Sequence, residues 1–285
     1  MPGCACLPGG PSHFLLVKIF TMPRTLYQVD AFTSKPFAGN PAAVCWLDEP
    51  VDAEWMQQVA AEMNLAETAF VHPEGDSLRL RWFTPAVEVD LCGHATLATA
   101  HTLWQHQGFP QDQTLRFETH SGTLTASPLG DRIELDFPIA AAEETPPLDG
   151  LLESLGIGDF TFCGKNAWDW LIEVPTADDV RRLNPNHALL APVTSRGVMV
   201  TARSDAPEYD FISRFFAPAA GIPEDPVTGS AHCVVGEYWS RKLDKKILQA
   251  YQASPRGGEV EVEVRNKRAL LRGHAVVVAK IELFV

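Results

Sequence analysis

The chain has 285 residues, 46% hydrophobic and 21% charged, enough for one large or two ordinary globular cores. A formal net charge of −13 argues against nucleic-acid backbones and anionic membrane surfaces as partners, though a local site can still take an anion. Six cysteines (Cys4, Cys6, Cys45, Cys92, Cys163, Cys233) form neither a disulfide framework nor a zinc spacing, which fits a reducing, cytoplasmic compartment. Pro 22 and Gly 20 imply many turns, hence a strand-rich protein.

Residues 1–21 are turn-rich and unpatterned and read as an extension outside the core fold, with Met22 as the functional start. The apolar run 14–20 is too short and, with Lys18, too polar to span a membrane; an edge strand there is the alternative. Thr25–Thr33 reads as a strand leading into the breaker-rich turn Pro36–Pro41, and Ala42–Leu47 as its hairpin partner. Asp52 is a good N-cap for a helix through Asn64. Strands follow at 67–71 and 78–83. Gly93 opens a helix to about His106, with Leu97, Ala98, His101 and Leu103 inward; its Ala/Thr richness predicts burial all round. Strands at 114–119, 122–127 and 131–137 complete a first half, residues 22–137. The unpatterned stretch 138–150 holds the best candidate linker. A second half, 138–274, repeats the order: a short helix near Leu148, strands at 160–165 and 168–174, a small helix 177–183, strands at 197–202 and 210–216, a helix 229–242, then strands at 247–253, 258–264 and 269–273. The last strand, 275–284, is predicted to cross back to the first half, because an exposed apolar edge there would be hazardous.

One stretch occurs twice. R-W-F-T-P-A-V-E-V-D-L-C-G-H-A-T begins at Arg81, and R-F-F-A-P-A-A-G-I-P-E-D-P-V-T-G-S-A-H begins at Arg214. Arg81, Phe83, Pro85 and Ala86 match Arg214, Phe216, Pro218 and Ala219 at an offset of 133; Gly93 and Ala95 match Gly229 and Ala231 at 136. A strand-turn-helix unit used twice predicts two similar halves about a pseudo-twofold axis. Their helix N-termini, with unpaired N–H groups and partial positive charge, would together form a socket for an anion such as a carboxylate.

Several residues in these stretches can carry chemistry. Glu67 is a charge entering an apolar strand pattern: either a strand-end group in solvent or a general acid/base in a dry cleft. His94 and Ser230 each follow a helix-opening glycine, as first-turn residues or as donors to an oxyanion. Asp225 precedes a helix, as a dipole partner or as a group that polarises the acid/base. Asn40, in Gly39-Asn40-Pro41, either tolerates turn geometry or offers its amide to a substrate carboxylate or amine. T-G-S-A-H lacks a nucleophile elbow, and there is no phosphate loop or dinucleotide fingerprint. His101 and His232 stand at helical positions that suit core or surface better than ligation.

With V-D-A-F-T-x-x-P-F-A-G-N-P-A-A-V at 29–44 and M-N-L-A-E-T-A-F at 63–70 beside the two repeat copies, the chain resembles the phenazine-biosynthesis PhzF-like isomerases over residues 25–285. The resemblance implies an α/β (α+β) fold like that of diaminopimelate epimerase: two pseudo-symmetric halves, each a strongly curved mixed/antiparallel sheet wrapped around a central helix, with the site between them. It implies a homodimeric isomerase with no cofactor and no metal. It places the acid/base on Glu67, its partners on His94 and Asp225, and contacts to a substrate carboxylate on Gly93, Gly229 and Ser230. Diaminopimelate epimerase, similar in fold, uses two opposed cysteines; here the matching positions hold Cys92 and Thr228. A threonine is a poor acid or base, so the expected chemistry is a proton shift within a small carboxylic acid, by double-bond isomerisation or tautomerisation, with Glu67 as sole shuttle. Two alternatives stay open: a racemase or epimerase of an amino or hydroxy acid using Cys92, and a non-catalytic small-molecule binding protein on the same fold.

Overall fold

The computed structural model describes residues 23–194 and 196–285; the expectations for residues 1–21 lie outside these. In chain order the elements are β1 (Arg24–Ala31), β2 (Asn40–Trp46), α1 (Ala53–Met63), β3 (Glu67–Glu74), β4 (Ser77–Phe83), β5 (Glu88–Val89), α2 (Gly93–His106), β6 (Leu115–Thr119), β7 (Gly122–Leu129), β8 (Arg132–Pro138), β9 (Glu143–Glu144), α3 (Leu151–Leu155), β10 (Phe162–Lys165), β11 (Asp169–Glu173), α4 (Ala177–Arg182), α5 (His187–Leu190), β12 (Gly197–Arg203), β13 (Phe211–Ala217), β14 (Ile222–Asp225), α6 (Gly229–Leu243), β15 (Ile247–Gln252), β16 (Gly258–Arg265), β17 (Arg268–Gly273) and β18 (Ala275–Leu283). No helix among the described residues is long and apolar enough to cross a membrane.

The strand pairing repeats. β1 pairs antiparallel with β2, β2 parallel with β3, and β3 antiparallel with β4. β4 takes β5 antiparallel and β6 parallel, and β6, β7 and β8 form a meander. β10 to β17 make the same pairings in the same order and sense. β8 and β17 then pair with each other. The short β9, which follows β8, pairs with β10, and β18, which follows β17, pairs with β1. Each last strand therefore crosses to the other set, as expected for 275–284, and all eighteen strands belong to one continuous sheet. The crossing also corrects the reading of 138–150 as patternless: Glu143 and Glu144 pair with Lys165 and Gly164.

The sheet wraps two long helices. In α2 every residue from His94 to Trp104 is buried except His101, which is half-buried where an inner position was expected. Threonines survive in this apolar helix because Thr96, Thr99 and Thr102 return their hydroxyls to the carbonyls of Cys92, Ala95 and Ala98, at 2.5, 2.7 and 2.9 Å. In α6 the mid-helix Gly236 lies against Val262; a Cβ there would meet Cγ1 at 2.5 Å, so close packing explains a residue that otherwise weakens a helix. The peripheral α1 is built differently. Asp52 caps it through the Glu54 N–H at 3.1 Å, and only Met56, Val59 and Ala60 are buried.

The repeated arginines hold the β-hairpins that precede the two long helices. Arg81 grips Glu88 through Nε and Nη2 at 2.7 and 2.8 Å, and Arg214 grips Glu224 with the same atoms at the same distances. Arg214 also donates to the Leu183 carbonyl at 2.7 Å. Its side chain is 10% exposed against 21% for Arg81. Breaking the drier pair strands a largely buried carboxylate, its side chain 14% exposed. Arg214→Met is therefore expected to cost about 3–5 kcal/mol and to lower the chemical-denaturation midpoint more than Arg81→Met does; equal, small losses would show that both clamps behave as surface pairs.

Candidate active site

The two long helices meet at their N-termini. A Cβ added to Gly93 would lie 3.3 Å from the Cα of Gly229, and one added to Gly229 would lie 3.4 Å from the Cα of Gly93. Neither helix start has a side-chain cap: the N-caps are Cys92 and Thr228, and neither side chain hydrogen-bonds the first turn's N–H groups. His94 and Ser230 are thus second helical residues, not caps. The first-turn N–H groups of both helices lie at one place, where the partial charge of each favours an anion.

Around this meeting point the fold gathers Asn40, Glu67, Cys92, His94 and Asp225 from β2, β3, the start of α2 and β14. Glu67 opens β3 and is only 9% exposed, so it is not a strand-end charge in solvent. Its Oε2 lies 3.0 Å from His94 Nε2, although the two atoms are not in hydrogen-bond alignment, and neither has another partner among the described residues. His94 Nδ1 faces Cys92 Sγ at 3.5 Å and Asn40 Nδ2 at 3.1 Å. Asn40 Nδ2 has two hydrogens, and its shorter contacts are to Asp225 Oδ1 at 2.7 Å and the Val227 carbonyl at 2.9 Å. These take both hydrogens, leaving His94 Nδ1 free to hold a proton toward the thiol. Thr228 donates to Asp225 Oδ2 at 2.5 Å.

Electrostatics follow from this geometry. Burial disfavours an imidazolium at His94, but Cys92 and Glu67 outweigh it and hold the pKa well above the ordinary histidine value. Burial, helped by Glu67, pushes the Cys92 thiol up as well. Burial also pushes Asp225 up to about 6, against the pull of His94, Thr228 and Asn40. Glu67, Cys92 and His94 offer ligand atoms within 4.8 Å of one another. The imidazole lies between the other two, Nε2 to the carboxylate and Nδ1 to the thiol, which suits proton relay better than a shared ion. His232 is not part of the cluster: it is buried, donates from Nδ1 to the Thr228 carbonyl at 2.8 Å, and burial lowers its pKa to about 4.

Two supporting residues had no signal in the sequence. Gln252, wholly buried, donates to the Asp225 carbonyl at 2.7 Å and accepts from the Thr228 N–H at 2.9 Å. Arg256 reaches across to the turn before Asn40, donating to Gly39 O at 2.8 Å, Ala38 O at 2.9 Å and Asp30 Oδ1 at 2.8 Å. That turn needs its glycine: Gly39 has φ +65°, and a Cβ would lie 2.2 Å from the Ala31 carbonyl oxygen.

The strand register shows what stands opposite each site residue across the pseudo-twofold. Thr68 pairs with Phe83 as Val198 pairs with Phe216, and Ala42 pairs with Glu67 as Asp169 pairs with Gly197. The counterpart of Glu67 is therefore Gly197, where a Cβ would lie 2.4 Å from the Phe215 ring. His94 matches Ser230, and Cys92 matches Thr228.

Comparison with known proteins agrees with this architecture. The family model described as phenazine biosynthesis-like protein, PhzC-PhzF, matches residues 29–281. An uncharacterized isomerase of Halalkalibacterium halodurans is 51% identical, over 93% of this chain and all of the relative. An uncharacterized isomerase of Pseudomonas aeruginosa is 47% identical, over 89% of this chain and 96% of the relative. The crystal structure of a phenazine biosynthesis protein of the PhzF family from Enterococcus faecalis superposes with a TM-score of 0.88 at 40% identity, covering 93% of this chain and all of that one. By these matches the chain belongs to the PhzC-PhzF family of phenazine biosynthesis-like proteins.

Proposed function

We propose that this isomerase moves a proton between two carbons of a small carboxylic acid, on one face, with Glu67 as the only acid/base. The observation that supports this reading is that the repeat position equivalent to Glu67 holds Gly197. A two-base racemase needs a proton acceptor on one face of its substrate and a donor on the other. Here the counterpart of the acid/base has no side chain, and Phe215 fills the space. The substrate carboxylate sits at the uncapped starts of α2 and α6, against Gly93, Gly229 and Ser230. Glu67 takes a proton from one carbon as electron density moves toward the substrate's unsaturated system, then returns it to another carbon. The reaction has no net redox change. The His94 ring lies against the Glu67 carboxyl and orients it, and Asp225 holds Asn40 and Thr228 in place.

A second reading has one observation in its favour: Cys92 Sγ lies 3.5 Å from His94 Nδ1, close enough to act as one base of a racemase. Against it stand the upward shift of that thiol and Thr228 at the opposite position. Proton NMR in heavy water, over a panel of unsaturated, amino and hydroxy acids, separates the two. The isomerase reading expects deuterium at a carbon that gains a proton on double-bond migration, whereas stereochemical scrambling at an α-carbon, abolished by Cys92→Ala, would establish the racemase.

Glu67→Gln is expected to lower turnover by about 10²–10⁴-fold while the thermal transition stays cooperative; a variant as active as the parent removes Glu67 from the mechanism. The pH profile tests Asp225. Below about 6 its carboxyl takes a proton and no longer accepts from both Asn40 and Thr228, so kcat/KM falls with falling pH on a limb centred near 6. Asp225→Asn should lose that limb along with much of the activity. A limb that persists unchanged in this variant belongs to another group.

A further inference from the structure

Arg196 immediately precedes Gly197, the residue opposite Glu67. Its Nε donates to Asp169 Oδ1 at 2.8 Å, and its Nη2 reaches Asp169 Oδ2. Asp169 is wholly buried and also accepts from the Gly197 N–H at 3.1 Å, so the carboxylate serves to aim the arginine. The guanidinium lies over the Phe215 ring, 5.9 Å from its centroid, and the side chain remains 40% exposed. Nη2 comes within 3.5 Å of Ser230 Oγ, at the start of α6. Nη1 has no hydrogen-bond partner among the described residues. An arginine held flat, aimed by a buried acid and left with unspent donors beside a helix start is built to meet an anion. The site it borders already contains buried polar atoms with no aligned partner: Asn40 Oδ1, Glu67 Oε2 and His94 Nε2.

The register adds direction. The counterpart of Arg196 in the first half is Ala66, which carries no charge. The two helix starts taken alone would accept a carboxylate in either of two orientations related by the pseudo-twofold. We propose that Arg196 removes that choice: it is a binding residue for the substrate carboxylate, drawing it to the Ser230 side so that the reacting carbons face Glu67. The inference rests on the carboxylate-binding reading of the helix starts. It also defines a substrate class, acids ionised at neutral pH, and disfavours their amides and esters.

The test is an NMR titration of the full chain with benzoate and with succinate, read at the backbone amides of Gly229 and Ser230, with benzamide as the neutral control. Glu67→Gln, which keeps Arg196 and removes a carboxylate from the site, should bind both acids at least as well as the parent. Arg196→Gln should bind them at least about tenfold more weakly, the size of a lost charge-assisted hydrogen bond, Arg196→Lys should fall between, and benzamide should not distinguish the variants. Because Arg196→Gln strands Asp169, the double variant Arg196→Gln, Asp169→Asn keeps the buried position neutral and should show the same weakening if the single variant does not fold. Once a turned-over acid is known, KM should rise with kcat largely kept. Equal acid affinity in parent and Arg196→Gln, or no response of either amide in the parent, overturns the proposal. Acid binding that depends on Arg196 in a protein that moves no deuterium would instead keep this inference and sink the proton-shift reading.

Discussion

The contact between Gly93 and Gly229 constrains everything around it. Two helices from different parts of the chain bring their first turns into contact: a Cβ at Gly93 would lie 3.3 Å from the Gly229 Cα, and one at Gly229 would lie 3.4 Å from the Gly93 Cα. This brings first-turn N–H groups from both helices to one spot. The N-cap side chains turn to their own half: Cys92 faces His94, and Thr228 donates to Asp225. The sheet serves this contact: β-hairpins clamped by Arg81–Glu88 and Arg214–Glu224 lead each chain segment to its helix start. First-turn N–H groups so placed have no intrahelical carbonyl partner, which suits them to meet an anion.

Against this symmetric frame the differences between the halves stand out as chemistry. Where position and packing must match, the residues match: the clamping arginines, their glutamates and the two glycines. Around the meeting point of the helices they diverge. A carboxylate stands against a glycine (Glu67, Gly197), an imidazole against a hydroxyl (His94, Ser230), a thiol against a hydroxyl (Cys92, Thr228) and a methyl group against a guanidinium (Ala66, Arg196). The clustered Glu67, Cys92 and His94 lie on the first half, and Arg196, paired with Asp169, on the second. A fold whose two halves are alike in backbone has become polar across its own axis.

Much of this was legible in the sequence, for physical reasons. The repeat showed through because both copies meet the same local demands: an arginine to hold a hairpin, a proline turn, and a glycine where two backbones touch. Long strands and helices carry their own periodicity, so their extents were close. The two-residue β5 and β9, the four-residue β14 and the single turn α5 were not anticipated, since so few residues make no pattern. Glu67, His94, Asp225 and Asn40 could be singled out as polar residues in apolar or turn-rich settings, but their convergence could not be read from spacing. Gln252, Arg256 and Arg196 gave no local sign at all. Each owes its place to a partner far along the chain, such as Asp225 for Gln252, Asp30 for Arg256 and Ser230 for Arg196. His101 misled because helical spacing marks a face without saying how far the neighbouring strands extend over it.

The crossing of β18 onto β1 has a consequence for how the molecule is made. Arg24 pairs with Leu283, so almost the whole chain lies between the two partners. On a ribosome β1 emerges first and can join β2 at once, but its other edge has no partner until the C-terminal residues leave the tunnel. At ordinary rates of synthesis that is a wait on the order of tens of seconds. Throughout it the nascent protein carries an open strand edge, the kind of surface that pairs with other chains. The first half therefore begins folding early and finishes last, after the second half has been built. The strand that closes this edge is the nine-residue β18, and its pairing with β1 is the longest-range contact of the sheet's first strand.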